Sequence, residues 1–427
     1  MHSGGTELSI ALVGTRGVPA HYGGFETCVD EVGSRLAERG HRVRVYCRSQ
    51  EADRPAEYHG MELVHRGAVH RRSLETLSHS GLSVAHLMTH RTDVAIVFNA
   101  ANSPYLPLIR AARIPVATHV DGLEWRRDKW KGAGRRYYRM AESAAVRWSD
   151  ALIADAQGIA DYYREEFHAD SRLIAYGAPR VADGDELLAT ADLYPRGYHL
   201  VVARFEPENH VHTIVDGYRR SGATLPLVVV GSAPYADEYT ARVHALADER
   251  VRFLGGVWDQ QLLDQLYANA RTYLHGHSVG GTNPSLLRAI GAGTPTIAYD
   301  VVFNREVLGS AGAYFDTEDA LARRLEEAEA VADDSMLRDD TRARSLAYDW
   351  DDVADRYESL CHDLADHVQV RTHRPLTTQR VGAQPSPTRK APAAAIARTQ
   401  PQTVQTTQTT PTTETTQATH TTESARP

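Results

Sequence analysis

The chain of 427 residues, 42% of them hydrophobic, is long enough for two domains with separate cores, and its formal net charge of -8 excludes a general nucleic-acid binder, which carries a basic surplus. Three widely spaced cysteines, Cys28, Cys47 and Cys361, exclude a disulfide framework or a cysteine-zinc cluster and point to a reducing cytoplasm. No basic-then-apolar leader opens the chain and no apolar run approaches the roughly 20 residues of a membrane span, so the expected protein is cytoplasmic and does not cross a membrane.

Leu8 to Val13 is a continuous apolar run that stops at Gly14, as a buried parallel strand does. The loop from Gly14 to Gly24 carries four glycines, after which Phe25, Val29, Val32 and Leu36 fall at helical spacing as far as Gly40. His41 to Cys47 alternates as a second strand and completes a β-α-β unit. Gly14-x-x-Gly17 is not the Gly-x-Gly-x-x-Gly fingerprint, which weakens a dinucleotide reading. Residues 50–92 are polar, with a helical stretch from His70 to Arg91. Its histidines, His79, His86 and His90, lack Cys or Glu companions and read as a solvated face, not a metal site.

Ala95–Phe98 and Pro115–Thr118 are the next buried strands, each ending in a polar loop, the place where ligands gather in doubly wound sheets. The second loop is His119-Val120-Asp121-Gly122-Leu123-Glu124-Trp125. From Trp125 to Trp148 aromatic residues interleave with arginine and lysine, a mixture that fits peripheral contact with an anionic membrane as well as it fits a solvated helix with buried aromatics. Ala151–Ala154, a helix over 156–167 and Arg172–Tyr176 finish a first domain, residues 1–178; residues 179–196 read as a linker.

A second domain, residues 197–348, restarts the alternation with strands at Leu200–Ala203, Leu227–Val230, Val251–Leu254, Tyr273–Leu274 and Thr296–Tyr299. Between the last two, the chain bends through Gly276, Gly280 and Gly281 and enters a helix at Asn283 and Pro284. Unpaired N–H groups and a partial positive charge at such a start suit a phosphate, and equally a capped turn without ligand. An amphipathic helix at 351–365 follows, and the Thr-, Gln- and Pro-rich residues 368–427, poor in large apolar side chains, are expected to be disordered.

Several of these stretches, in this order, resemble the retaining, family 4-like nucleotide-sugar glycosyltransferases of GT-B fold, in which two Rossmann-like domains face each other. They are Gly14–Glu26, Val120–Trp125, Arg204–Asn209, Phe253–Asp259, Gly280-Gly281-Thr282-Asn283-Pro284-Ser285-Leu286-Leu287 and Asn304–Gly309. The sub-family resembled includes bacterial rhamnosyltransferases of cell-surface polysaccharide assembly. Arg288 departs from its pattern, which has Glu there, and Asn209 stands where the broader family has a lysine.

The resemblance implies an α/β, GT-B architecture whose last helix crosses back to the first domain. It implies transfer of a sugar, rhamnose first, from a dTDP-, UDP- or GDP-sugar to a lipid-linked or glycan hydroxyl, without a required metal or other cofactor. Gly23 and Gly24 would face the donor phosphates from one side. Arg204, Asn209, Gly281, Thr282, Asn283, Ser285 and Arg288 would line the other, with Glu306 as the carboxylate for a hydroxyl and Arg305 or Arg16 as the second cation. His119 and Asp121 are the candidates near the reacting carbon. A nucleotide-sugar epimerase and a silent sugar-nucleotide-binding scaffold are the competing readings.

Overall fold

In a computed structural model, the described residues are 6–20, 23–49, 54–69, 75–120, 123–127, 130–181, 184–231 and 237–367; the tail expected at 368–427 lies outside them. The first half runs β1 (Ser9–Val13), α1 (Gly24–Glu38), β2 (Arg42–Arg48), β3 (Glu57–Tyr58), β4 (Met61–Arg66), α2 (Glu75–Thr89), β5 (Val94–Phe98), α3 (Leu106–Ala111), β6 (Val116–Val120), α4 (Ala133–Trp148), β7 (Ala151–Ala154), α5 (Gln157–Phe167) and β8 (Arg172–Leu173). The second half runs β9 (His199–Val202), α6 (Val211–Arg220), β10 (Leu227–Val230), α7 (Asp237–Leu246), β11 (Val251–Gly255), α8 (Gln260–Asn269), β12 (Thr272–His275), α9 (Pro284–Gly291), β13 (Thr296–Tyr299), α10 (Val302–Leu308), β14 (Gly312–Phe315), α11 (Glu318–Ala330), α12 (Ser335–Ser345) and α13 (Trp350–Ala365).

Two sheets result. One has the order β3-β4-β2-β1-β5-β6-β7-β8 and the other β11-β10-β9-β12-β13-β14. Every pairing is parallel except the short antiparallel β3–β4 edge. Their central strands are apolar on both faces, as sheets covered by helices require: Val94 to Phe98 and Val116 to Val120 are buried throughout. In both sheets the strand order reverses beside the first strand of the half, β1 or β9, and loops at the carboxyl ends of such strands are where a ligand fits.

Three sequence expectations are corrected. The polar stretch 50–92 contributes β3 and β4, whose alternation is too short to stand out. Arg172–Tyr176 pairs only at Arg172–Leu173, because β8 is an edge strand. His79 does not face water: it is 1% exposed under α2, and burial pushes its imidazole down to about 4.

The helix expected at 351–365 packs on α1 of the first lobe. Val353, Tyr357, Leu360 and Leu364 join Cys28, Val29 and Val32 in one buried cluster, and Arg35–Asp351 (2.7 Å), Arg39–Asp355 (2.7 Å) and Arg39–Glu358 (2.6 Å) rim it. Ligand atoms of His41, Glu358 and His362 lie within 4.8 Å of one another there. His41 Nδ1, however, accepts from the Leu8 N–H (3.1 Å), so its proton sits on Nε2 and is donated to Glu358 (3.0 Å); the group clamps the helix. The three cysteines are buried and free, and burial lifts the Cys28 and Cys361 thiols to about 12. Among the described residues no helix is long and apolar enough to cross a membrane.

Candidate functional site

The glycine-rich loop after β12 is held from beneath. A Cβ on Gly276 would lie 2.1 Å from the Asn209 carbonyl oxygen, so only glycine permits that approach. Asn209, 6% exposed, uses its whole amide: Nδ2 donates to the Arg204 carbonyl (2.7 Å) and Oδ1 sits 2.7 Å from His277 Nδ1. Asn304 Nδ2 donates to the His277 carbonyl (2.9 Å), and Ser278 N donates to that of Glu208 (2.9 Å). These bonds fix the loop against the 3-10 turn Pro207–Asn209 that follows β9. Asn283 then caps α9, its Oδ1 accepting from Ser285 N (2.9 Å), with Pro284 at the first helical position.

The opposite wall comes from the first lobe. Gly23, at φ 111°, lets the chain turn into α1, and a Cβ on Gly24 would stand 3.2 Å from Pro284 Cγ and 3.3 Å from Tyr176. The two glycine loops therefore meet at the start of α9. Beside them a Cβ on Gly281 would fall 1.9 Å from Asp155 Oδ1, and Thr282 Oγ1 donates to the Asp155 carbonyl. Burial, with the Glu306 charge adding to it, raises the Asp155 carboxyl to about 7.

Glu306 spans the lobes as well. Its Oε1 accepts from the Gln157 N–H (2.7 Å), capping the start of α5, and burial raises its carboxyl against the pull of those N–H groups. The sequence reading gives Glu306 to a ligand hydroxyl; here Oε1 is engaged by the opposite lobe, while Oε2 is buried without a hydrogen-bond partner.

His119, at the end of β6, is 0% exposed and ringed by Phe25, Phe98, Tyr176 and Tyr357. The Cys28 thiol lies 3.6 Å from the Tyr357 hydroxyl, which in turn lies 2.8 Å from His119 Nδ1. With the thiol donating to the hydroxyl and the hydroxyl donating a hydrogen bond to Nδ1, Nε2 carries the ring proton. Nε2 is buried without a hydrogen-bond partner, and burial pushes the imidazole down to about 3. Asp121 lies outside the described residues.

Arg204, Asn209, Gly281, Thr282 and Asn283 thus share one loop cluster, and Gly24 faces it. Three other candidates turn elsewhere. Arg288 pairs with Asp264 on α8. Arg305 pairs through both nitrogens with Asp300 (2.5 and 2.7 Å) and lies 4.3 Å over the Tyr314 ring. Ser285 lies beside the buried Tyr267 hydroxyl. Arg16 is exposed beside α1, its backbone N–H bonded to Glu26 (3.0 Å).

The sequence reading missed a cation that the fold supplies. Arg127 follows the 3-10 turn Glu124–Arg126 of the first lobe; its Nε lies 2.8 Å from Glu124 and 3.8 Å from Glu208, and its Nη1 4.0 Å from Glu206. It stood within the aromatic and basic stretch, where position in sequence alone did not separate it from seven other cations.

Residues 23–177 match the family model described as a glycosyl transferase 4-like domain, and residues 195–344 match that of the glycosyl transferases group 1. The O-antigen chain mannosyltransferase B of Escherichia coli is 26% identical over 212 residues, 44% of this chain and 54% of that protein, so the match spans about half the relative's length. The crystal structure of Anabaena Alr3699/HepE in complex with UDP superposes with a TM-score of 0.67 at 17% identity, covering 83% of this chain and 100% of the other. Sucrose-phosphate synthase from Thermosynechococcus elongatus gives 0.71 at 19%, covering 84% and 99%. At such identities the likeness is one of fold, the two-domain GT-B architecture.

Proposed function

We propose that this chain moves a glycosyl group from a nucleotide-sugar donor to a hydroxyl acceptor, a reading supported by the matches of its two halves to the glycosyl transferase 4-like and glycosyl transferases group 1 models. The observation that carries the reading is the start of α9: a capped, glycine-led helix N-terminus whose loop is tied through His277 and Asn209 to the Arg204 carbonyl, with Gly24 of the other lobe against Pro284. The N–H groups of that start, with the Arg204 guanidinium as the cation, would stabilise negative charge as it grows on a departing phosphate.

The donor C1–O bond breaks with its electron pair going to the phosphate oxygen. The acceptor oxygen bonds C1 on the same face, and its proton passes to the departing phosphate, so configuration is retained. His119, buried and neutral, takes no part in proton transfer. The sugar is a hexose or deoxyhexose: the sequence resemblance favours rhamnosyl, and the Escherichia coli relative, named for mannosyl transfer to an O-antigen chain, favours mannosyl. The acceptor is a cell-surface glycan precursor, lipid-linked, met at the inner face of the membrane. Exposed Arg126, Lys131, Arg135, Arg136 and Met140 on and before α4 supply a basic, partly apolar contact for it.

The test is thermal stabilisation of the purified chain by dTDP, UDP and GDP, since a ligand held only by the folded state raises the melting temperature. One nucleotide is expected to shift Tm in the native chain and not in Arg204→Ala; no shift with any of them at millimolar concentration overturns the reading. Flotation with anionic liposomes, lost in Arg126→Ala/Arg135→Ala/Arg136→Ala, checks the membrane contact.

A further inference from the structure

The second lobe holds a cavity of about 420 Å3 whose lining includes Arg196, Asn269, Arg338, Arg342, Asp185 and Asp339. Small-molecule sites occupy roughly 300–1,000 Å3. Arg196 stands just before β9, Asn269 ends α8 just before β12, and Arg338 and Arg342 belong to α12. In a parallel sheet the segments that lead into strands lie at the opposite end from the loops that leave them, so the cavity is at the far end of the sheet from Arg204 and the start of α9.

Its cations are fixed in place. Arg196 Nη1 donates to the Ala268 and Ala270 carbonyls (3.0 and 3.3 Å), and Arg338 donates to the same two oxygens (2.5 and 3.4 Å), so both guanidinium groups cap the end of α8. Arg196 does this from a left-handed backbone, φ 62°, a strained conformation for a residue with a side chain, held by its N–H bond to the Asn269 carbonyl (2.8 Å). Asn269 Nδ2 donates to the Gly184 carbonyl (2.6 Å) and fixes the segment that carries Asp185. Among the described residues, Arg196 Nη2 donates no hydrogen bond, and the exposed carboxylates of Asp185 and Asp339 have neither a hydrogen-bond nor an ion-pair partner.

Guanidinium donors and carboxylate acceptors thus share one space. A phosphate there would meet the carboxylates of Asp185 and Asp339, and a cation would meet the guanidinium groups of Arg196, Arg338 and Arg342. A vicinal diol suits both: its O–H groups donate to a carboxylate while its oxygens accept from a guanidinium. Tyr194, on the turn that leads to Arg196, is 64% exposed with its ring against Gly197, and offers an aromatic face to the C–H side of a sugar ring. We propose that this cavity is a second carbohydrate site, separate from the transfer cleft, which takes a segment of a neutral oligosaccharide. In a glycan-building transferase such a site raises the effective concentration of a long acceptor between transfers. The binding itself does not depend on that reading.

The experiment is saturation-transfer NMR and calorimetric titration of the full chain with neutral mannose and rhamnose tetrasaccharides, with inorganic phosphate and the three nucleoside diphosphates as competitors. Expected is millimolar binding of at least one tetrasaccharide that no competitor displaces. The double variant Asp185→Ala/Asp339→Ala, at exposed positions, is expected to weaken it about fivefold or more with Tm unchanged, and Arg196→Ala to weaken it as much. No binding of either tetrasaccharide at tens of millimolar overturns the proposal, as does native-like binding in the double variant. Displacement by phosphate also overturns it, since the cavity would then be an anion site, and displacement by a nucleoside diphosphate would put the sugar in the cleft instead. If Arg196→Ala does not fold, the double variant decides alone. The transferase reading stands or falls separately, on the nucleotide-dependent shifts in Tm.

Discussion

At the scale of single residues, a side chain's worth at this site depends on whether its polar atoms are already spent. Asn209 stands where the resemblance leads one to expect a lysine, yet its slot is 6% exposed and closed by bonds to the Arg204 carbonyl and to His277. An ammonium there can donate to the carbonyl but cannot accept from the imidazole, and it would bring a third positive charge beside Arg127 and Arg204. Asn209→Lys is expected to destabilise the chain by about 2 kcal/mol or more, read as a lowered midpoint in urea. An unchanged midpoint would mean that the slot opens more easily than its bonds suggest. The sequence made Arg204 legible through the resemblance, which has an arginine at this place after an apolar strand. It left Arg305 looking like a phosphate ligand, because nothing in the motif says that Asp300, five residues earlier, folds back onto its guanidinium.

At the scale of elements, the starts of α5 and α9 form the joint between the lobes. α5 begins against Glu306 of α10, and the loop leading into α9 rests on Asp155 just before α5. Gly281 has no room for a side chain: its Cβ would fall 1.9 Å from Asp155 Oδ1 and 2.4 Å from Cγ, and Asp155 is 4% exposed and cannot retreat into a packed interior. Gly281→Ala is expected to force the loop off the first lobe while each sheet stays folded. The checks are a transfer rate at least tenfold lower and a larger radius of gyration by X-ray scattering; a native rate would show that the contact is dispensable. Asn283→Ala removes the cap of α9 and is expected to cost about 1 kcal/mol in thermal unfolding. The helix and its cap were readable from Asn283 and Pro284. What they rest on was not, since Asp155 lies 126 residues or more away in sequence.

At the scale of the whole molecule, buried ionisable groups set how stability follows pH. Burial lowers His79 to about 4 and His119 and His275 to about 3, from an ordinary 6.5. Unfolding lets these imidazoles bind protons that the fold refuses, so their contribution is full above pH 6.5 and is lost as pH falls below it. Asp155 and Glu142 are raised to about 7 by burial, from 3.8 and 4.5. They stay protonated in the fold where they ionise in the unfolded chain, so their contribution is full below about 4 and is lost as pH rises toward and through 7. The two sets oppose each other, and Tm is expected to decline on both sides of a maximum near pH 6. Asp155→Asn should flatten the alkaline side, raising Tm at pH 8.5 relative to the native chain and doing less at pH 5.5. An alkaline limb unchanged by that substitution would exclude Asp155 as its source.

The sequence by itself determined the alternation of strands and helices, two parallel sheets, the glycine loops at strand ends and a last amphipathic helix. These follow from hydrophobic period and backbone restriction, which act over a few residues. Only the tertiary structure decided which charged groups face which: that Arg127 crosses to Glu206 and Glu208, that Arg288 is held by Asp264, and that Glu306 caps α5. Coulombic and hydrogen-bonding partners are chosen by distance in space. Where the closing of two lobes brings together residues about 80 to 150 positions apart, no local pattern records the choice.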